Sequence, residues 1–381
     1  MLPSTSQIAP GLMEPAVHRV PNELWFDILR LLRRDRSTLL SVSQVCKRLR
    51  SLTIPVLLHQ VTLDLVTSPD HASSFLAMLG SNYDSGRFVR RMQLKLSTRD
   101  VMSQSTLTDV WELLKVVSVE DLVLSSSKLS ARLFDALITI PTLQSLNLQN
   151  CTIYPPDPII PLETKDCDQP RSGRNLTSLE VTWQEASMTS SLPAILSRLD
   201  MSKLQHLSLA GSPCSGAVTT ELLNTVSPGS LKSFRFPPAR RDARFPDPYG
   251  LLRDNLVNQP HIRHLSLHPK IHLTSIPADA LPNLERFEGS YAMAELLVPG
   301  RPVTQVTITT ESNFSANQGD MPQTFKAIAK SSKPVKYLEL EEIKFEEEWM
   351  DDLRILFPQL EHLRVQSINF LSKVYCNYGV S

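Results

Sequence analysis

Apolar residues recur along most of this chain in one spacing, apolar-x-x-apolar-x-apolar. The clearest copy is Leu143, Leu146 and Leu148, extended by Cys151 and Ile153. Further copies begin at Leu176, Leu204, Leu231, Ile262, Val303, Val335 and Leu360, and weaker ones at Leu58, Val89, Val119 and Leu284. The twelve starts lie 19 to 33 residues apart, with a mean of about 27. Alternation within each copy predicts a short strand with its second and third anchors on a buried face. Pro141, Pro260, Pro282 and Pro358 stand two residues before a start, and Pro302 and Pro334 one before. Proline ends a preceding helix and biases its neighbour toward extended backbone, so it marks the same register. Ser130–Ile140 and Thr219–Val226 suit short helices between strands. A unit of this size buries its apolar face only against its neighbours, so the array predicts a stacked solenoid.

Ahead of the array the period changes to that of a helix. Pro21 suits a first helical turn, where its missing N–H costs little. Leu24, Ile28, Leu31 and Leu32 then fall at i, i+4, i+7 and i+8, and Trp25 and Leu29 widen the stripe. Arg33 to Arg36 reads as a polar turn, with Ser37 as the expected N-cap of a second helix. That helix carries Val42, Val45, Cys46, Leu49 and Leu52 on one face, with Lys47, Arg48 and Arg50 off its centre, and Pro55 is expected to end it. Residues 1–17 are Pro/Ser-rich without periodicity and are expected to be disordered. The expected division is therefore 1–17, a helical module at 18–55, and the array at 56–381.

Two resemblances follow from these residues. The copy from Leu143 to Ile153 matches the leucine-rich repeat pattern at every anchor, with Cys151 at its buried corner. The helical segment resembles an F-box. Val20-Pro21 stand for its Leu-Pro, Glu23-Leu24 for its Glu-Leu, Ile28 and Leu32 for its Ile and Leu, and Val45 to Arg50 (VCKRLR) for its second motif. The departures are Val20 for leucine, Leu49 for tryptophan and about two extra residues in the turn. The implied fold is α/β, an N-terminal F-box-like helical module followed by a leucine-rich repeat solenoid (horseshoe), as in fungal F-box/leucine-rich repeat proteins. The F-box resemblance implies docking on the Skp adaptor and, through it, a cullin, with Pro21, Leu24, Ile28, Leu29, Leu32, Val42, Val45 and Cys46 as the adaptor-binding residues.

Composition narrows the picture. Hydrophobic residues at 41% and charged residues at 20% are ordinary for a globular protein, and formal net charge is zero. Global attraction to nucleic acid or an anionic membrane therefore has no support. Locally, His18–Arg50 holds eight Arg or Lys against three acids, which would suit an acidic partner. Lys333–Asp352 holds three Lys against eight acids, and its run from Glu339 to Asp352 reads as a helical face with Phe345 and Trp349 at i, i+4. Five scattered cysteines without a CxxC pair fit a reducing compartment, and no apolar run reaches the length of a bilayer span. The expected location is cytoplasm or nucleus.

No chemistry emerges from the motifs. His261, His264, His268 and His272 cluster, but Pro260, Pro269 and the repeat anchors make a strand of this stretch. On a strand, His264 and His268 stand roughly 13 Å apart, too far to share one ion. No phosphate-binding glycine loop, GxSxG or HExxH occurs, so no catalytic group, metal or cofactor is expected. His206, His264 and His362 share one repeat position and should line the concave face. With Arg235, Tyr337, Glu339 and Arg364 they are the candidates for contact with a protein substrate. The proline-rich inserts 154–174 and 237–250 are expected to be loops, mostly solvated. The chain thus reads as an adaptor of a cullin-based ubiquitin ligase, docking at one end and holding a target in its array. The alternative is a repeat scaffold whose helices only cap the solenoid.

Overall fold

The computed structural model of the protein describes residues 20–65, 67–68, 74–75, 77–79, 83–95, 114, 117–126, 128–154, 175–184, 192–196, 199, 201–225, 229–238, 248–309, 321–343, 349–367 and 374–377. The expected disordered stretch at 1–17 and most of the two inserts lie outside these residues.

The helical module is α1 (Asn22–Leu31), a 3-10 turn (Leu32–Arg34), α2 (Arg36–Val45) and α3 (Lys47–Leu58). The single second helix expected from the stripe is thus two helices. Cys46 adopts extended backbone between them (φ −159°, ψ 164°), and its Sγ accepts the Leu49 N–H. Asp35, not Ser37, is the N-cap of α2. Its carboxylate accepts the Thr38 N–H at 3.1 Å and the hydroxyls of Ser37 at 2.7 Å and Thr38 at 2.6 Å. A carboxylate that accepts three donors outcompetes a hydroxyl for the cap. Pro55 lies inside α3 and does not end it. The ring forgoes one bond to the Ser51 carbonyl, but buried Leu52, Thr53 and Val56 hold the helix through to Leu58. The module's own core is Leu29, Leu39, Leu52 and Val56, flanked by Trp25, Phe26, Leu32, Val42 and Leu57.

The strands are β1 (Gln60–Asp64), β2 (Arg91–Lys95), β3 (Asp121–Ser125), β4 (Lys128–Ser130) and β5 (Ser145–Gln149). They continue as β6 (Thr152–Tyr154), β7 (Ser178–Trp183), β8 (His206–Gly211), β9 (Ser233–Phe236) and β10 (His264–Leu267). The last are β11 (Arg286–Gly289), β12 (Gln305–Thr309), β13 (Tyr337–Ile343), β14 (His362–Ser367) and β15 (Val374–Asn377). Among the described residues, all but β4 and β6, which pair with each other, form one 13-stranded sheet in chain order. The twelve from β1 to β14 run parallel, and β15 closes the series antiparallel to β14. Every expected repeat start, weak ones included, leads into one of these twelve parallel strands. This is the architecture of a leucine-rich repeat solenoid.

The register explains the repeat spacing. Val61, Met92, Leu122, Leu146, Leu179, Leu207, Phe234, Leu265, Phe287, Val306, Leu338 and Leu363 stack in one buried column. Two residues on, a second buried column runs from Leu63 to Val365. It is interrupted at Gly289, where an added Cβ would fall 2.8 Å from the Phe287 ring and 3.2 Å from the Leu267 carbonyl. Phe287 fills the space its small neighbour leaves. The residue before each strand has a second duty. The carbonyls of His59, Arg90, Glu120, Gln144, Thr177, Gln205, Lys232, Arg263, Glu285, Thr304 and Lys336 each accept two consecutive N–H groups from the next coil. This forked ladder has no missing rung from the end of α3 to β14.

Both ends of the parallel series are tied to a neighbour. At the first, Arg36 of α2 donates to the Gln60 carbonyl at 2.8 Å and the Leu57 carbonyl at 3.4 Å, tying the helical module to β1. At the last, β15 pairs with β14. Short helices supply the convex side, among them Ala131–Ile138, Gly216–Thr225, Pro248–Val257, Tyr291–Leu297, Met321–Ile328 and Trp349–Leu356. Pro248–Val257 makes the end of the second expected loop helical. The acidic run also departs from expectation. Glu339 to Ile343 belongs to β13, Phe345 lies outside the described residues, and Trp349 is buried edge-on to Phe325 at 6.0 Å.

Candidate interaction surfaces

The helical module presents apolar side chains that its own core does not use. On α1, Leu24 is 54% exposed, Ile28 44% and Leu31 85%, and on α2 Leu40 is 53% and Val45 65% exposed. Pro21 is exposed at the start of α1. Leu29, by contrast, has no exposed surface and sits in the module's core. That position holds the helices together and cannot meet a partner. Leu32 and Val42 are half-buried against the same core, and Cys46 is spent on the cap of α3. Of the eight residues expected to dock, Pro21, Leu24, Ile28 and Val45 are exposed. Leu31 and Leu40 join them. Leu31 was visible in the stripe, while Leu40 stood off it and gave no signal.

Polar side chains fix the orientation of this face. Arg48 at the start of α3 donates to the Val20 carbonyl at 2.8 Å and to Asn22 Oδ1 at 2.8 and 3.1 Å, which pins the beginning of α1. Arg50 reaches the Ser43 carbonyl at 3.3 Å. Where the module meets the array, a cleft of about 470 Å³ is lined by Phe26, Arg30, Arg33, His59, Arg87 and Arg90, among others. Burial, then Arg33 and Arg91, lower the pKa of His59.

The concave face is built from the strand positions that alternate with the buried columns. Its far end gathers four of the expected contact residues. Tyr337 and His362 are cross-strand neighbours with rings stacked 4.6 Å apart, 13° from parallel. One step along, Glu339 and Arg364 form an ion pair. A pocket of about 290 Å³ opens there, lined also by Arg286, Gln305 and Thr307. The other three lie apart. Arg235 on β9 reaches over β10 to Glu288 on β11 at 3.4 Å. His206 and His264 flank Ser233 on neighbouring strands, and burial, then His264 and Lys232, hold the His206 imidazole below its ordinary range.

The buried cysteines are packing residues. Burial alone pushes the Cys214 thiol up to about 12, and Cys151 is buried with its Sγ 3.3 Å from the Leu124 carbonyl. Among the described residues no group of three His, Cys, Asp or Glu could hold a metal ion, and no helix is long and apolar enough to cross a membrane.

Comparison with known proteins bears on the first of these surfaces. The F-box-like family matches residues 17–64. These residues are an F-box-like domain. The match ends with β1, so it takes in all three helices and the first strand of the array. No curated protein matches the chain. Among solved structures, the chain is similar to one in the crystal structure of the TLR13–ssRNA13 complex, with 15% identity and a TM-score of 0.34. That match covers 82% of this chain, which spans 36% of the other's length.

Proposed function

We propose that this protein is the substrate receptor of an SCF-type cullin-RING ubiquitin ligase, of the fungal F-box/leucine-rich repeat kind. The F-box-like domain docks on the Skp adaptor, which joins it to the cullin, and the array holds a target protein. The receptor does no bond chemistry itself. It raises the local concentration of a target lysine near the conjugating enzyme. This reading places it in the cytoplasm or nucleus.

The observation that carries the proposal is the set of exposed apolar residues on α1 and α2 within an F-box-like domain. Fully burying an exposed Leu, Ile or Val side chain is worth roughly 1.5–3 kcal/mol, and covering the part of each that is still exposed here gains a fraction of that, so this surface gains from a partner. The basic surplus of the same segment suits an acidic one. A second reading, a repeat scaffold without a ligase role, draws on the Arg36 contacts that make the module a cap for β1.

Co-purification with the Skp adaptor separates the two. Wild-type protein should recover the adaptor. Leu24→Asp/Ile28→Asp should lose it, because placing a carboxylate at either docking anchor costs at least ~2 kcal/mol, about 30-fold in Kd. Both positions lie outside the module's core, so the variant should melt like wild type. Equal recovery by a folded variant would remove these anchors from the interface, and recovery by neither protein would favour the scaffold.

A further inference from the structure

Toward the end of the array the concave face carries an unusual row. Arg286 on β11, Gln305 on β12, Tyr337 on β13 and His362 on β14 stand in register on four consecutive strands. The Tyr337 and His362 rings are nearly parallel and 4.6 Å apart, close to the ~4.8 Å spacing of neighbouring strands. They therefore stand on edge, with their faces turned along the row. His362 covers one face of Tyr337. The other looks across Gln305 toward Arg286, and Tyr337 and Arg286 are both exposed. From β13 back to β11 is two strand spacings, roughly 9.6 Å. A planar group set between them needs about 3.5–4 Å on each side, or about 7–8 Å. The pocket of about 290 Å³ that opens here has room for one ring, with Gln305 as its floor. The charges around it are already matched except at one point. Among the described residues, Glu288 pairs with Arg235 and Glu339 with Arg364, while no acid pairs with Arg286.

We propose that this pocket receives one aromatic side chain of a partner protein, held between the Tyr337 ring and the Arg286 guanidinium. A ring placed there stacks on Tyr337 and turns its other, electron-rich face to a cation. An aliphatic side chain would fill the same space without either attraction. A nucleobase would also stack, but each base brings a phosphate. Of the two arginines that line the pocket, Arg364 is paired with Glu339, which leaves Arg286 to meet a whole backbone. The row therefore suits a protein better than a nucleic acid. Such a pocket presupposes that the array holds a target, and it owes nothing to docking of the F-box-like domain.

The test is surface plasmon resonance on immobilised full-length protein with a Gly/Ser peptide that carries one central tryptophan. The same peptide with leucine in its place and a short single-stranded oligothymidylate serve as comparisons. Wild type should bind the tryptophan peptide at least ~5-fold more tightly than the leucine peptide or the oligonucleotide. Tyr337→Ala and Arg286→Ala should each bring the tryptophan peptide down to the level of the leucine peptide. Lys326→Ala, on the convex helix Met321–Ile328, should leave the preference intact. Arg286 is exposed, so its variant should fold even if Tyr337→Ala does not. No binding of the tryptophan peptide, equal binding of the two peptides, a preference that survives in either folded pocket variant, or tighter binding of the oligonucleotide would each overturn the proposal. Arg286→Ala should recover the Skp adaptor as wild type does. Failure of the peptide test with the adaptor retained would count against this pocket alone, and loss of the adaptor by wild type would count against the ligase reading alone.

Discussion

One guanidinium ties the segments on either side of β11 together. Arg301 is 3% exposed, and its nitrogens donate to the carbonyls of Pro277, Ala280, Leu296, Leu297 and Pro299 at 2.7 to 3.4 Å. Two of these belong to the last turn of helix Tyr291–Leu297, where carbonyls lack partners within the helix. Burial lowers the Arg301 pKa, but an arginine remains charged at neutral pH. Arg301→Ala would strand these acceptors in the interior. We expect it to cost at least ~3 kcal/mol by chemical denaturation, with Arg301→Lys rescuing only part. An unchanged denaturation midpoint would refute this role. Such a residue cannot be found from the sequence, because its acceptors lie up to 24 positions away and meet only in the folded chain. Leu29 illustrates the same limit differently. Periodicity put it in the stripe with Leu24 and Ile28, but a stripe that wide has one half for its own core and one half for solvent. Spacing alone does not say which is which.

At the scale of elements, α2 depends on a charge. The Thr38 hydroxyl, then the Thr38 N–H and the Ser37 hydroxyl, hold the Asp35 carboxyl at about 2 against an ordinary 3.8. A depressed carboxyl contributes its stability fully above the ordinary value and loses it as pH falls through the folded one. Wild type should therefore be more stable than Asp35→Ala at pH 6. The gap should narrow below about pH 4 and close near pH 2 in urea titrations. A gap that stays constant over that range would show that the carboxylate is not the cap. Elements were legible where pattern and packing agree, as in the strands with two apolar anchors. They were misread where composition opposed packing. Glu339 to Glu342 is rich in helix formers, but pairing with β12 and β14 on either side makes it strand. Likewise, Pro55 ends a helix only where no buried neighbours hold the next turn.

For the molecule as a whole, the spacing of anchors foretold the solenoid, since a repeat announces its own neighbours. It could not foretell β15, which is antiparallel and carries no copy of the pattern. The F-box-like domain was legible from a few ordered anchors, but its join to the array was not, because Arg36, Leu57 and Gln60 make that join through backbone carbonyls. The forked carbonyl ladder has a mechanical corollary. Each rung binds only the next coil, so a pull on the two ends loads the rungs in series and the weakest fails first. In a single-molecule stretching experiment the array should lengthen in steps, each releasing one coil of about 27 residues, or roughly 90 Å of chain. A single abrupt extension would mean that the coils share their load sideways through the convex helices. Stepwise extension would make the array a spring that yields a coil at a time and leaves the rest of its surface in place.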